Sequence, residues 1–123
     1  MATDKTDLGR KGEDIACGYL LKKGFQIKER NWRYKNAEID IIAMDGKELV
    51  IVEVKTRSAM IYEEPRDSIT NQKIRFLVNA AEEYIFENDF NGETRFDVIS
   101  IKWFGENKFE LEHYPEAFYP PVG

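Results

Sequence analysis

The sequence predicts an α/β protein in which helices flank one mixed β-sheet. Three observations predict this fold: apolar residues at helical spacing near the start of the chain, two strands rich in Ile and Val that a turn signal joins, and a second amphipathic helix followed by further strands. A helix between the third and the fourth strand allows a parallel crossover. We therefore expect parallel and antiparallel pairs in the same sheet.

The first half of the chain predicts one helix and three strands. Apolar residues recur at helical spacing over residues 8–23, and Gly24 is a natural helix stop. Residues 25–34 alternate loosely and predict the first strand. Residues 37–43 and 49–56 predict the two strands of a hairpin, because they are rich in Ile and Val and flank an Asp-Gly turn signal.

The second half predicts another helix and two more strands. Residues 58–67 are irregular, and a helix with an apolar stripe follows over residues 71–88, with Thr70 as its N-cap. Residues 94–104 predict a fourth strand and residues 109–114 a short fifth one. The predicted order is therefore α-β-β-β-α-β, with a further strand at the end.

Length and composition are those of a single globular domain. We expect residues 1–123 to form one domain, with a core over about residues 8–104 and a C-terminal hairpin strand and tail over residues 105–123. No apolar run approaches the roughly 20 residues of a membrane helix, so no membrane partner is expected. The single cysteine, Cys17, excludes an internal disulfide and fits a reducing, cytoplasmic location.

The net charge of −5 is unevenly distributed along the chain. Residues 1–75 contain 15 Lys and Arg against 13 Asp and Glu, whereas residues 76–123 contain 3 against 10. The first part could present a basic groove to nucleic acid or carry a solvated surface of mixed sign, and charge alone leaves both open. The residues of such a groove would be Arg30, Arg33, Lys35, Arg57 and Arg66.

Three carboxylates and a lysine lie on the predicted hairpin. A two-residue turn at Asp45-Gly46 would set Asp40 opposite Ile51, whereas a four-residue loop would set Asp40 opposite Glu53. Either register leaves the charged side chains on one face, because side chains alternate along a strand. These side chains are Glu38, Asp40, Glu53 and Lys55.

The opposite face of the same hairpin is apolar and is expected to face the core. Its residues are Ile39, Ile41, Val50, Val52 and Val54. Ile42 and Ile51 share the charged face, which predicts that this face too is partly covered.

Such a face predicts a metal site, because close carboxylates repel one another unless a cation lies between them. Lys55 beside them could orient water or stabilise developing charge. With one histidine and one cysteine in the chain, the ligands would be oxygen atoms, which favours Mg²⁺ or Mn²⁺. The alternative is a set of surface ion pairs, and spacing alone does not decide between the two.

Four further features of the sequence each allow two interpretations. Glu13 flanks the apolar stripe of the first helix, where small neighbours could bring it close to the sheet or leave it exposed. Lys73 lies in the first turn of the second helix, where the macrodipole disfavours a cation, so it could contact phosphate or be solvated. Arg95 and Asp97 predict a structural contact within the fourth strand, and His113 has no evident triad partner.

Several motifs occur in an order that resembles the YraN-like family of uncharacterised bacterial proteins. That family is similar to the restriction-endonuclease-like, or PD-(D/E)xK, nuclease superfamily and to archaeal Holliday-junction resolvases. The resemblance covers about residues 8–104. Its motifs are residues 9–13, 31–33, 37–43, 52–57 and 95–98, together with Lys73.

The resemblance implies a restriction-endonuclease-like fold and a set of site residues. It implies that Asp40, Glu53 and the backbone carbonyl of Val54 bind Mg²⁺ or Mn²⁺. Lys55 would position the attacking water, and Glu13 would complete the acidic cluster. The residues expected to contact nucleic acid are Arg57, Lys73, Arg33 and Lys35.

The expected function is that of a metal-dependent endonuclease that hydrolyses DNA phosphodiester bonds, with branched or otherwise non-standard DNA among its substrates. The alternative is a non-catalytic module, on a nuclease scaffold, that binds nucleic acid or a protein partner. A third hypothesis is that the acidic C-terminal half of the chain docks another protein. Relatives that cut junctions work as dimers, so the resemblance also admits a homodimer.

Overall fold

Two helices and five strands are present in the part of the chain that the structure describes. The computed structural model describes residues 6–60 and 70–118. The elements are α1 (Asp7–Lys22), β1 (Gln26–Tyr34), β2 (Ala37–Asp45), β3 (Glu48–Ser58), α2 (Asn71–Glu87), β4 (Thr94–Gly105) and β5 (Lys108–Phe118). This order confirms the predicted one. Arg66 and most of the predicted irregular segment, residues 58–67, lie outside the described residues.

The five strands form one mixed sheet in the order β1-β2-β3-β4-β5. The β3–β4 pair is parallel and the other three pairs are antiparallel. Helix α2 provides the crossover between the two parallel strands. The prediction of a mixed α/β sheet flanked by helices is therefore confirmed.

The hairpin of β2 and β3 adopts the second of the two predicted registers. Ile41 pairs with Val52, and Asp45 pairs with Glu48, which is the register that the four-residue loop would give. The predicted two-residue turn at Asp45-Gly46 is wrong, because the turn lies one residue later. Gly46 has φ +62° at the first position of that turn, a conformation that glycine adopts without steric cost.

Helix α1 packs on one face of the sheet, and helix α2 packs on the other. The core between the sheet and α1, which we call the α1 face, consists of Ala16, Cys17, Leu20, Phe25, Ile41, Ala43, Val50, Val52, Ile99 and Ile101. The core between the sheet and α2, which we call the α2 face, consists of Ala37, Ile39, Ile42, Leu49, Ile51, Leu77, Ala80, Ala81, Tyr84 and Phe96. Both lists are apolar, so the sheet is buried on both sides near its centre.

Ile39 and Ile41 are both buried in the core as predicted, but the prediction that they share one face is wrong. Ile41 packs on the α1 face, and Ile39 packs on the α2 face beside Ile42. The alternation of β2 is therefore broken at Asp40. Asn31, on the neighbouring strand between the partners of Ile39 and Ile41, has φ +53°. Irregularities of this kind re-aim the side chains around them.

Helix α1 approaches the sheet closely at Gly12. A Cβ atom on Gly12 would overlap the Oγ1 atom of Thr56 and would lie 2.8 Å from the Thr56 Cβ. Glycine is therefore the residue that lets this helix pack against β3. Within residues 6–60 and 70–118, neither helix is long and apolar enough to cross a membrane.

Candidate functional site

A cleft of about 590 Å³ opens on the α2 face, between β2, β3 and the first turns of α2. We call it the Asp40–Glu53 cleft. Its lining residues are Arg33, Asn36, Ala37, Glu38, Asp40, Glu53, Val54, Thr70, Gln72, Lys73, Phe76 and Leu77. The three carboxylates that the sequence placed on one face of the hairpin, Glu38, Asp40 and Glu53, therefore lie in one cavity.

Asp40 is anchored to the neighbouring strand. Its Oδ2 atom accepts a hydrogen bond of 2.8 Å from the backbone N–H of Val54. Only 7% of Asp40 is exposed to solvent. This bond fixes the position of the carboxylate at the wall of the cleft.

Glu53 faces the same cleft and pairs with a lysine from α2. Its Oε2 atom lies 2.6 Å from the Nζ atom of Lys73, whose side chain is half exposed. Thr70 caps α2 by accepting the N–H of Lys73, as predicted, and this bond fixes the first turn over the cleft. The carboxylate thereby offsets the unfavourable position of a cation at a helix N-terminus.

Lys55 follows Glu53 by two residues along β3. It lines a separate hollow of about 530 Å³ with Ile74 of α2 and Val98 of β4, and it is absent from the lining of the Asp40–Glu53 cleft. Its side chain therefore lies on the same side of the sheet as the two carboxylates but outside their cleft. This is the placement that strand alternation gives for residues two apart.

Glu13 is buried but lies on α1, toward the opposite side of the sheet. Its Oε1 atom accepts a hydrogen bond of 2.9 Å from Asn31 and lies 3.8 Å from the guanidinium of Arg30. It is absent from the lining of the Asp40–Glu53 cleft. In the part of the chain that the structure describes, no three His, Cys, Asp or Glu side chains form a group that could hold a metal ion.

The remaining basic residues differ in their relation to the cleft. Arg33 lines it and lies 4.0 Å from the Glu38 carboxylate. Lys35 lies beside it, with its Nζ atom 5.2 Å from the centre of the Tyr34 ring. Arg57 lies further along β3, opposite Lys102. Of the predicted basic residues that the structure describes, Arg33 and Lys73 share the cavity with the carboxylates.

The donors in the cleft suit a hard cation. Two carboxylates supply only oxygen ligands, and Mg²⁺ is commonly held by one or two carboxylates together with water and substrate phosphates. Such a cation does not need a third protein carboxylate. Asp40 and Glu53, with the Val54 carbonyl as the predicted third donor, therefore fit Mg²⁺ or Mn²⁺.

A second polar cluster, on the α1 face, was only partly predicted. Asp97 is fully buried and makes two hydrogen bonds with Arg95, of 3.0 and 3.2 Å, which confirms the predicted structural contact. Asp97 also lies 2.7 Å from His113 Nε2, and His113 Nδ1 lies 3.0 Å from the hydroxyl of Tyr19. The N–H of Glu116 completes the shell around Asp97 at 3.1 Å. We call these residues the Asp97 network.

Arg95 ties the Asp97 network to the β2–β3 hairpin. Its Nη1 atom donates hydrogen bonds to Asp45 and to Glu48. Burial alone would lower the pKa of Arg95, but its hydrogen bonds to Asp97 and Glu48 outweigh that effect and raise the pKa. The guanidinium is therefore charged at every pH at which the protein is folded.

The fold and the cleft together define a class: a mixed-sheet α/β protein with an acidic cleft under the start of a crossover helix. Within that class, the chain belongs to the uncharacterised protein family UPF0102, whose model matches residues 12–101. The resemblance to the YraN-like family is thereby confirmed.

Close relatives support the assignment over nearly the whole length. A UPF0102 protein of Flavobacterium psychrophilum is 47% identical over 117 residues, which cover 94% of this chain and 97% of the relative. A UPF0102 protein of Bacteroides thetaiotaomicron is 42% identical over 120 residues, which cover 97% of this chain and 98% of the relative.

Proposed function

We propose that the protein is a Mg²⁺- or Mn²⁺-dependent endonuclease that hydrolyses phosphodiester bonds of DNA. The observation that carries the proposal is the pairing of Asp40 and Glu53 in one cleft, each more than nine-tenths buried and each on a different strand. A fold that used these positions for stability alone would favour opposite charges on adjacent strands. The cleft instead brings three carboxylates of adjacent strands, Glu38, Asp40 and Glu53, together where solvent can enter.

The residues of the cleft and Lys55, from the neighbouring part of β3, divide the chemistry between them. Asp40, Glu53 and the Val54 carbonyl would hold the divalent cation, which supplies the positive charge that stabilises the phosphoryl oxygens as the reaction proceeds. Lys55 donates a hydrogen bond that orients the attacking water. Arg33 at the rim contacts the phosphate backbone and holds the DNA strand across the cleft.

A second candidate function is a nucleic-acid-binding module without turnover. The Lys73–Glu53 ion pair favours it, because the ammonium group neutralises a carboxylate that the proposed cation would need. A binding module of this kind would keep its affinity for DNA when divalent cations are removed.

The test is a cleavage assay on single-stranded, duplex, flapped and four-way-junction DNA, with Mg²⁺ and separately with Mn²⁺. Asp40→Asn and Lys55→Ala, purified in parallel, serve as controls for contaminating nucleases. We expect the parent protein to cut at least one substrate and both variants to lose that activity. Equal cutting by the parent and by folded variants would refute the proposed site. Absence of cutting together with cation-independent binding would favour the module.

A further inference from the structure

A smaller hollow adjoins the Asp40–Glu53 cleft at its β1–β2 end. It has a volume of about 250 Å³. Its lining residues are Tyr34, Lys35, Asn36, Ala37, Phe76 and Asn79. Asn36, Ala37 and Phe76 line both cavities, so the hollow and the cleft share a wall. The two cavities are therefore immediate neighbours on the surface.

Phe76 is an aromatic residue that the core does not use. It is 37% exposed, whereas its neighbour Leu77 is 2% exposed and packs on the α2-face core. Burial of an aromatic ring against a flat partner is favourable, and single-stranded nucleic acids commonly stack their bases on such rings. A single exposed Phe is common on protein surfaces. The difference here is that this ring lies at the junction of two cavities.

The other side chains of the hollow are polar and suit a nucleobase. Asn36 and Asn79 each carry an amide group with both donors and acceptors, which the edge of a base can pair with. Lys35 supplies a positive charge, which fits the phosphate of the same nucleotide. Its ammonium lies 5.2 Å from the centre of the Tyr34 ring, so the cation is held at the side of the hollow.

The size of the hollow limits what it can accept. At about 250 Å³ it is smaller than the roughly 300–1,000 Å³ of pockets for drug-sized ligands. One planar base fits that space better than a larger group. A base inside a duplex cannot reach the hollow, because it is stacked and paired with its neighbours.

We infer that the hollow binds an unpaired base of the strand that lies in the Asp40–Glu53 cleft. Phe76 stacks on the base, the two asparagine amides contact its edge, and Lys35 contacts its phosphate. The inference rests on the proposed function and sharpens it. It names DNA that is unpaired beside the scissile phosphate, such as a single strand or a flap, as the substrate class.

The test is equilibrium binding measured by fluorescence anisotropy, with a labelled oligo-dT strand and a labelled blunt duplex. Ca²⁺ replaces Mg²⁺ so that binding is measured without cleavage. We expect Phe76→Ala to bind oligo-dT roughly tenfold more weakly, the size expected for loss of one stacked base. We expect its duplex affinity to be unchanged. Phe76→Trp should retain the parent affinity for oligo-dT.

Phe86 provides the matched control. It lies on the same helix and is 79% exposed, but it lines neither cavity. Phe86→Ala should bind both probes as the parent does. The inference is overturned if Phe76→Ala binds oligo-dT as well as the parent, or if it loses oligo-dT and duplex affinity equally. Thermal melts of all variants verify that each one is folded.

The same experiment separates this inference from the proposed function. If Phe76→Ala binds normally but Asp40→Asn abolishes cleavage, base binding in the hollow is refuted and the proposed endonuclease activity is supported. If Phe76→Ala loses oligo-dT affinity but the parent cuts nothing, base binding in the hollow is supported and the protein is a binding module. An oligo-U strand in the same assay shows whether the hollow distinguishes DNA from RNA, and tighter binding of RNA would overturn the assignment to DNA.

Discussion

The sheet carries buried carboxylates on both of its faces, but the surroundings of these carboxylates differ. On the α1 face, Asp97 is fully enclosed and contacts Arg95, His113 and the Glu116 N–H. On the α2 face, Asp40 and Glu53 are nearly as buried, yet both line an open cleft. Burial of a carboxylate is therefore not by itself a sign of function. Access to a cavity that a ligand can enter distinguishes the two cases.

The largest effect that this comparison predicts is a loss of stability in Asp97→Ala. Asp97→Ala removes one partner of a buried charge pair and leaves Arg95, whose side chain is 13% exposed, without its bidentate acceptor. Breaking such a pair costs about 3–5 kcal/mol of the free energy of unfolding. Urea denaturation, monitored by circular dichroism, measures this loss. A loss below about 1 kcal/mol would show that the Asp97 network is not structural.

Asp40→Asn should show the opposite profile. Asparagine keeps an oxygen that can accept the Val54 N–H, so we expect the free energy of unfolding to change by less than about 1 kcal/mol. Cleavage of the preferred DNA substrate should fall by at least about 100-fold, because the side chain loses the charge that attracts the cation. Single-turnover cleavage and a thermal melt on the same preparation measure both quantities. A variant that is strongly destabilised would place Asp40 with Asp97 as a structural residue.

The close packing of α1 provides a third and smaller test. Gly12→Ala places a Cβ atom against Thr56, and overpacking of this kind costs about 1–3 kcal/mol of stability. Gly18→Ala in the same helix is the matched control, because a Cβ atom there meets nothing within 4 Å. It should stabilise the protein by about 0.5–1 kcal/mol, since alanine favours a helix over glycine.

Thr56→Ala should rescue part of the loss in Gly12→Ala, because it removes the Oγ1 and Cγ2 atoms that the new methyl group meets. The Thr56 Cβ atom remains at 2.8 Å, so the rescue is incomplete. Equal stabilities of Gly12→Ala and Gly18→Ala would mean that α1 is free to move away from β3. The enclosure of the α1 face would then need another explanation.

The strand period made the hairpin side of the cleft predictable. Asp40, Glu53 and Lys55 could be placed on one side of the sheet because side chains alternate with a period of two residues. Ile39 was misplaced by the same rule, because the chain departs from regular geometry at Asp40. Asparagine tolerates a positive φ, so Asn31 was the available signal for that irregularity.

The contacts that sequence reasoning missed join residues far apart in the chain. His113 and Tyr19 are 94 residues apart, and His113 reaches Asp97 through β5. The β4–β5 register shifts between Phe96 and Val98, and no residue pattern predicts such a shift. Lys73 was predicted to contact phosphate or solvent. Its pairing with Glu53 depends on how α2 crosses the sheet, which the helical pattern of α2 does not specify.

The smallest effect, and the one that tests the comparison most directly, concerns Lys73. Its ammonium lies 2.6 Å from the Glu53 carboxylate, so a divalent cation must compete with it for that oxygen. Lys73→Gln removes the competing charge, and we expect Mn²⁺ to bind roughly three- to tenfold more tightly, a change of about 0.6–1.4 kcal/mol. Isothermal titration with Mn²⁺ measures the affinity without any need for turnover.

Lys35→Gln is the control for this measurement, because it removes the same charge from a position outside the Asp40–Glu53 cleft. Its Mn²⁺ affinity should equal that of the parent. Tighter binding in Lys73→Gln alone would mean that Mn²⁺ and Lys73 compete for the Glu53 carboxylate. Glu53 would then be available to a cation that displaces the lysine, as a metal ligand must be. Unchanged or weaker binding would mean that Glu53 is committed to Lys73 as Asp97 is to Arg95, and the two faces of the sheet would then differ only in their exposure to solvent.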